Sequence, residues 1–251
     1  MDLKYRKEAV LELKEIIKKG KEIVFFGGAG TSTESNIPDF RSSDQGLYNR
    51  EKEENYSPEV ILSHSFFLKH PEIFYRYYLG NLVHENAKPN RAHYALATLE
   101  NEGKLQAIIT QNVDGLHQKA GSKRVYELHG SIYHNYCMGC TLEYGLEELL
   151  KNREAVPCCW QCGGIIRPGV TLYEEALDLS VVEAAVIAIE KADILIVGGT
   201  SLGVYPAAGF LEYFKGDKLI IINQERTPRD QVADLVIRGS IGEILGEVLE
   251  I

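Results

Sequence analysis

Short apolar runs along this chain end repeatedly in the same way. Ile23–Phe26 runs into Gly27-Gly28-Ala29-Gly30-Thr31-Ser32-Thr33, and Leu105–Thr110 into Gln111-Asn112-Val113-Asp114. Ile194–Val197 runs into Gly198-Gly199-Thr200-Ser201, Leu219–Ile222 into Asn223, and Val125–Leu128 into His129-Gly130. Segments of helical periodicity lie between them. Leu3–Lys19 carries Val10, Leu13, Ile16 and Ile17 at helical spacing before a capping Gly20, and Asn90–Gly103 and Leu177–Lys191 read the same way. Short β-branched runs alternating with helices specify an α/β fold with a parallel sheet covered on both faces. Ligands of such a sheet bind beyond the C-terminal strand ends. Five polar or glycine-rich clusters, far apart in sequence, are therefore expected at one edge.

The remaining sequence narrows the class. At 251 residues the chain has room for one large domain and an insert. Its N-terminal helix is charged throughout, unlike a secretory signal, and its apolar runs are far too short to span a bilayer. We read a soluble, cytoplasmic protein with no membrane partner. A net charge of −9 argues against nucleic acid, whose phosphates need clustered Lys and Arg. It suits a lysine-bearing partner and equally suits ordinary solubility. Pro58–His84 is rich in aromatics without alternation, which predicts short helices around an aromatic core. Asp44–Asn55 is polar and charged and reads as a mobile loop.

Three groups of residues carry chemistry. In Gly28-Ala29-Gly30-Thr31-Ser32-Thr33, glycines permit a tight turn and close ligand approach, and the hydroxyls are placed to cap a helix N-terminus that favours phosphate. Thr33 replaces the third glycine of a dinucleotide fingerprint, and the acid expected about twenty residues on would be Glu51 or Glu53, with no strand before it. This is not the dehydrogenase arrangement. Cys137-Met138-Gly139-Cys140 and Cys159-Trp160-Gln161-Cys162 are two C-x2-C knuckles at zinc-ribbon spacing, and four thiolates with no open position make a structural site. Cys158 reads as a bystander, although by spacing alone it could replace Cys159. His129, at a strand end, has the pKa of a base working near neutrality. Asn112 and Asp114 are either functional or turn-forming. His117 reads as a packed helical residue. With no Gly-x-Ser-x-Gly elbow and no Walker lysine, acyl-serine hydrolases and P-loop NTPases fall away.

Together these residues resemble the sirtuin family of NAD-dependent protein deacylases. The resemblance rests on Gly28–Ser32 with Ile37-Pro38-Asp39-Phe40-Arg41, then Thr110–His117, His129-Gly130 and the two cysteine knuckles. Gly199–Leu202 with Val204-Tyr205-Pro206-Ala207, and Ile222-Asn223, complete it in the family's order. It implies a Rossmann-like domain (residues 1–42, 91–130 and 171–251) and a smaller helical and zinc-binding domain built from inserts 43–90 and 131–170. It further implies NAD as cosubstrate, zinc as structural metal and an acyl-lysine protein as partner. Gly28, Ala29, Gly30, Thr33, Phe40 and Arg41 would line the pyrophosphate and nicotinamide side. Gln111 and Asn112 would hold the ribose, Val113 and Asp114 would face the carboxamide, Gly199, Thr200 and Ser201 the phosphate and the second ribose, and Asn223 and Ile241 the adenosine. Val170, Leu172 and Tyr173 would hold the peptide, pairing with it by backbone. The loop at 43–55 is expected to close over NAD.

The implied chemistry is acyl transfer. The acyl oxygen captures the sugar carbon as nicotinamide leaves, and His129, with Asn112 beside it, takes a ribose hydroxyl proton. Products are free lysine, nicotinamide and O-acyl-ADP-ribose. Mono-ADP-ribosyl transfer from the same site is the alternative, and a non-catalytic NAD-sensing adaptor a third reading. Three departures stand out. Asn36 replaces a glycine, which a left-handed turn tolerates. Glu174 replaces another in Thr171-Leu172-Tyr173-Glu174. Tyr78 is followed at Asn81 by no arginine, which predicts neutral acyl groups over succinyl.

Overall fold

The structure is a computed structural model that describes residues 3–39, 56–203 and 205–251. Helix α1 (Leu3–Lys19) leads into β1 (Ile23–Gly27), followed by short helices α2 (Pro58–Ile61), α3 (His64–Lys69) and α4 (Pro71–Asn81), then α5 (Arg91–Asn101). Strand β2 (Leu105–Thr110), helix α6 (Leu116–Lys119), strands β3 (Val125–Glu127), β4 (Gly130–Cys137) and β5 (Glu143–Tyr144), helix α7 (Leu146–Leu150) and strand β6 (Ile166–Val170) come next. Helix α8 (Leu179–Lys191), strands β7 (Ile194–Gly198), β8 (Lys218–Ile222) and β9 (Leu235–Ile237), and helix α9 (Ile241–Leu249) complete the chain.

The large sheet has the order β3-β2-β1-β7-β8-β9, with every pairing parallel. Alternation along β1 shows why it is buried on both sides. Ile23 and Phe25 pack with Leu13, Leu96, Ile244 and Leu245 of α1, α5 and α9, while Val24 and Phe26 pack with Ala185 and Ile189 of α8. The chain winds one way from β1 to β3 and the other way from β7 to β9, so the order reverses between β1 and β7. A crevice opens at that reversal, beyond the strands' C-terminal ends.

A second sheet, β5-β4-β6, is antiparallel. It shares a core with the helical insert: Phe67, Phe74, Tyr75 and Tyr78 pack with Cys137, Leu149 and Ile166. Phe74 and Tyr78 stack with centroids 5.6 Å apart, and the Tyr75 hydroxyl donates to the Ile166 carbonyl. The aromatic stretch is thus core, and it welds two segments distant in sequence into one small body. Strand β9, helix α9 and the turn at Ala207–Tyr213 did not emerge from the strand-and-cluster pattern. The apolar spacing Ile241, Ile244, Leu245, Val248 is nonetheless a helical signal for α9.

Candidate active site

At the crevice, Gly27 and Gly198 are register partners, and the loops that follow them interlock. The Gly30 N–H donates to the Gly199 carbonyl at 2.8 Å, and Gly28 N–H to Gly198 at 3.3 Å. A Cβ on Gly30 would sit 2.8 Å from the Gly199 Cα, and one on Gly28 would sit 2.9 Å from the Thr200 Cβ. These glycines are therefore required first by loop-to-loop packing. Thr31, Ser32 and Thr33 cap no α-helix, contrary to expectation: the chain forms two short 3-10 turns, Ala29–Thr31 and Thr33–Ser35, without side-chain caps. Asn36 ends them at φ 61°, in the left-handed conformation expected of it.

Freed from capping, Ser32 turns to the neighbouring strand end. Its buried hydroxyl donates to Asp114 Oδ2 at 2.7 Å and accepts from Asn112 Nδ2 at 3.0 Å, while Asp114 Oδ1 accepts the Leu116 N–H at 2.9 Å. Burial is the largest influence on the Asp114 carboxyl and raises its pKa, with the Ser32 bond opposing. In the sequence Ser32 reads only as part of a loop motif, and its partners lie on the loop that follows β2. His117 packs in the interior against His93, ring centroids 4.7 Å apart, and takes the packed role expected of it.

Gly28, Ala29, Gly30, Thr33, Gln111, Asn112, Val113, Asp114, His129, Gly199, Thr200, Ser201, Asn223 and Ile241 all line one cavity of about 390 Å³. Val170, Leu172 and Tyr173 form another part of its wall. Phe40, Arg41, Val204 and the 43–55 loop lie outside the described residues. Gln111 Nε2 donates to Thr200 Oγ1 at 3.3 Å, tying the β2 and β7 loops together. The cavity thus joins the parallel-sheet edge to the small body.

His129 Nδ1 lies 3.0 Å from the Gln111 carbonyl oxygen. A carbonyl only accepts, so Nδ1 carries the proton and Nε2 is left as the acceptor. Burial lowers the His129 pKa, with the Gln111 bond opposing, so the ring is neutral near pH 7. A ring in this state can accept a proton at Nε2.

Along the 171–173 segment the backbone donors already have partners within the chain. Tyr173 N–H already donates to the Leu62 carbonyl and its carbonyl accepts from His64 N–H, both at 3.0 Å. Thr171 N–H is held by the His129 carbonyl at 2.8 Å and Leu172 N–H by Glu175 Oε2 at 2.8 Å. Thr171, Leu172 and Tyr173 line the cavity. Asn81 also lines the cavity, whereas Tyr78 is fully buried in the small core.

The Sγ atoms of Cys137, Cys140, Cys159 and Cys162 lie within 4.8 Å of one another. The Cys137–Cys162 and Cys140–Cys159 separations are 3.3 and 3.6 Å. A tetrahedral zinc with bonds of about 2.3 Å requires sulfur–sulfur edges of roughly 3.8 Å, so the four thiols fit zinc with a small expansion. Backbone N–H groups of Gly139 and Gly164 donate to Cys137 and Cys162 Sγ at 3.3 and 3.4 Å, as knuckles that hold thiolates do. Cys158 is exposed and outside the cluster, whereas Cys159 belongs to it.

The Sir2 family model matches residues 28–206. The chain belongs to the Sir2 family. Relatives of this Sir2 protein include the NAD-dependent protein deacetylase of Clostridium acetobutylicum, 57% identical over 242 residues, covering 96% of this chain and 98% of the relative. The NAD-dependent protein deacetylase of Clostridium tetani is 57% identical over 238 residues, covering 95% and 96%. A solved Sir2 enzyme is 39% identical, with TM-score 0.87 and 97% of both chains covered. Another, bound to a deacetylated p53 peptide and 3'-O-acetyl-ADP-ribose, is 37% identical with TM-score 0.86, covering 96% of this chain and 97% of that one. No helix among the described residues is long and apolar enough to cross a membrane.

Proposed function

We propose that this chain is an NAD-dependent protein lysine deacetylase that transfers the acyl group from acyl-lysine to ADP-ribose and releases nicotinamide. One observation carries the reading: a neutral imidazole, fixed by the Gln111 carbonyl with Nε2 free to accept, lines the same cavity as the glycine loops and the Leu172–Tyr173 wall. NAD supplies an electrophilic sugar carbon and a leaving group. In this reading His129 Nε2 takes the hydroxyl proton of the sugar, with Asn112 beside it as ribose ligand. Ser32 and Asp114 hold Asn112 in place. Val170, Leu172 and Tyr173 pack against the acyl-lysine segment and exclude water from the reacting carbon.

The larger body (1–42, 91–130 and 171–251) supplies the NAD residues, including Phe40, Arg41, Ala29, Gly199 and Ile241, and the smaller (43–90 and 131–170) the zinc and the helical wall. Four free thiolates holding zinc suit a reducing compartment, which supports a cytoplasmic location. Neutral acyl groups are preferred, because Asn81 brings no cation to the cavity and its amide donates to the Tyr77 carbonyl at 3.0 Å.

Incubation with an acetylated peptide, with and without NAD, tests the reading. Nicotinamide release that depends on the peptide, together with lysine deacetylation, supports it; label transfer from NAD to protein without deacetylation refutes it. His129→Ala should retain NAD binding and lose deacetylation. Succinyl-lysine turned over as fast as acetyl-lysine would overturn the acyl preference.

A further inference from the structure

The deacetylase reading leaves open which peptides the site accepts, and the following inference rests on it. Glu174 stands where the family resemblance expects glycine, and its backbone lies at φ 77°, in the left-handed region that a glutamate seldom adopts. Its own carboxylate holds it there. Oε2 accepts the Ser65 backbone N–H and Oε1 the Ser65 hydroxyl, both at 2.9 Å. The next residue is pinned beside it: Glu175 meets His64 Nδ1 at 2.6 Å, the Leu172 N–H at 2.8 Å and the Arg167 guanidinium.

The two carboxylates differ in charge balance. Glu175 is matched by Arg167 and flanked by His64. Glu174 meets only the neutral donors of Ser65, and no ion pair found among the described residues includes it. It is exposed, and it lines the same cavity as His129, Leu172 and Tyr173.

We propose that Glu174 is a specificity-determining residue for the peptide. It presents a fixed negative charge on the cleft wall that no cation among the described residues pairs with. Acyl-lysine segments with arginine or lysine beside the modified residue are favoured, and segments with flanking acids are disfavoured. Both carboxylate oxygens are already oriented by Ser65, so little side-chain ordering remains to be done when a peptide cation arrives. An ion pair of this exposure corresponds to a preference of about two- to five-fold.

The test uses two acetyl-lysine peptides of equal length, flanked on both sides by Arg in one and by Glu in the other. Affinity is read by fluorescence anisotropy and turnover at saturating NAD. The wild type should favour the Arg-flanked peptide about two- to five-fold, through KM and Kd rather than kcat, with the preference shrinking at high salt. Glu174→Gln should bring the ratio toward one, and so should Glu174→Gly, which also frees the backbone. Equal affinities in the wild type, or an unchanged ratio in both variants, overturn the proposal. The binding readout stands apart from turnover. A charge preference without deacetylation would support this role of Glu174 while refuting the deacetylase reading.

Discussion

Ser32 and Asp114 lie 82 positions apart in sequence, yet the Ser32 hydroxyl donates to Asp114 Oδ2 at 2.7 Å inside the cavity wall. The Ser32 hydroxyl oxygen in turn accepts from Asn112 Nδ2. One buried hydroxyl therefore sets the positions of two side chains on the β2 loop, and it does so from the β1 loop across the sheet edge.

Ser32→Ala should leave a buried carboxylate and amide without that partner. Hydrogen bonds to charged groups contribute about 1.5–3 kcal/mol, so a loss of roughly ten- to a hundred-fold in kcat/KM is expected. Steady-state kinetics alongside a thermal melt would check this; unchanged kinetics in a folded variant would refute the role.

Gly30→Ala drives a methyl group into the Gly199 backbone, which cannot move aside as a side-chain tip could. Overpacking of this kind costs about 1–3 kcal/mol. Because the displaced atoms line the cavity, NAD affinity should fall with stability. Calorimetric NAD titration and urea unfolding would show both, whereas an unaltered affinity would mean that the interlock does not shape the site.

The Tyr144 hydroxyl donates to Cys159 Sγ at 3.0 Å from within the small core. Such partners typically change metal affinity by about ten- to a hundred-fold. One zinc per chain is expected, and Tyr144→Phe should release it faster to a chromogenic chelator. Metal analysis that finds none would reject the ribbon as a zinc site. Release at the wild-type rate would show that Tyr144 has no hold on the metal.

Burial lowers the His129 pKa below the ordinary imidazole value of 6.5. A base must be unprotonated, so activity is retained as pH falls through 6.5 and is lost only below the depressed value. A profile of kcat/KM against pH should place the acidic limb under about 6.5. A limb above pH 7 would contradict the buried, neutral ring.

Much of this architecture was legible in the chain itself. Apolar runs such as Ile194–Val197 are β-branched, short and followed by glycine, and that local signal is enough to mark a buried parallel strand and its functional end. Cysteine spacing likewise announced the four-thiol cluster, because C-x2-C is a local geometry. Other features left no local trace. Ser32 looked like a cap because a hydroxyl after a glycine turn usually is one, but here no α-helix follows and the free hydroxyl finds Asp114 instead. Nothing local in the sequence announces that Leu62 and His64 pair with the Tyr173 backbone.

The sequence by itself determined the α/β class, the clustering of its polar loops and the thiol chemistry, since periodicity and spacing act over a few residues. Only the tertiary structure decided which hydroxyl meets which carboxylate, which cysteine stays out of the thiol cluster and which glutamate meets no cation among the described residues. Those outcomes depend on contacts between segments brought together by burial, and no local pattern records the partner.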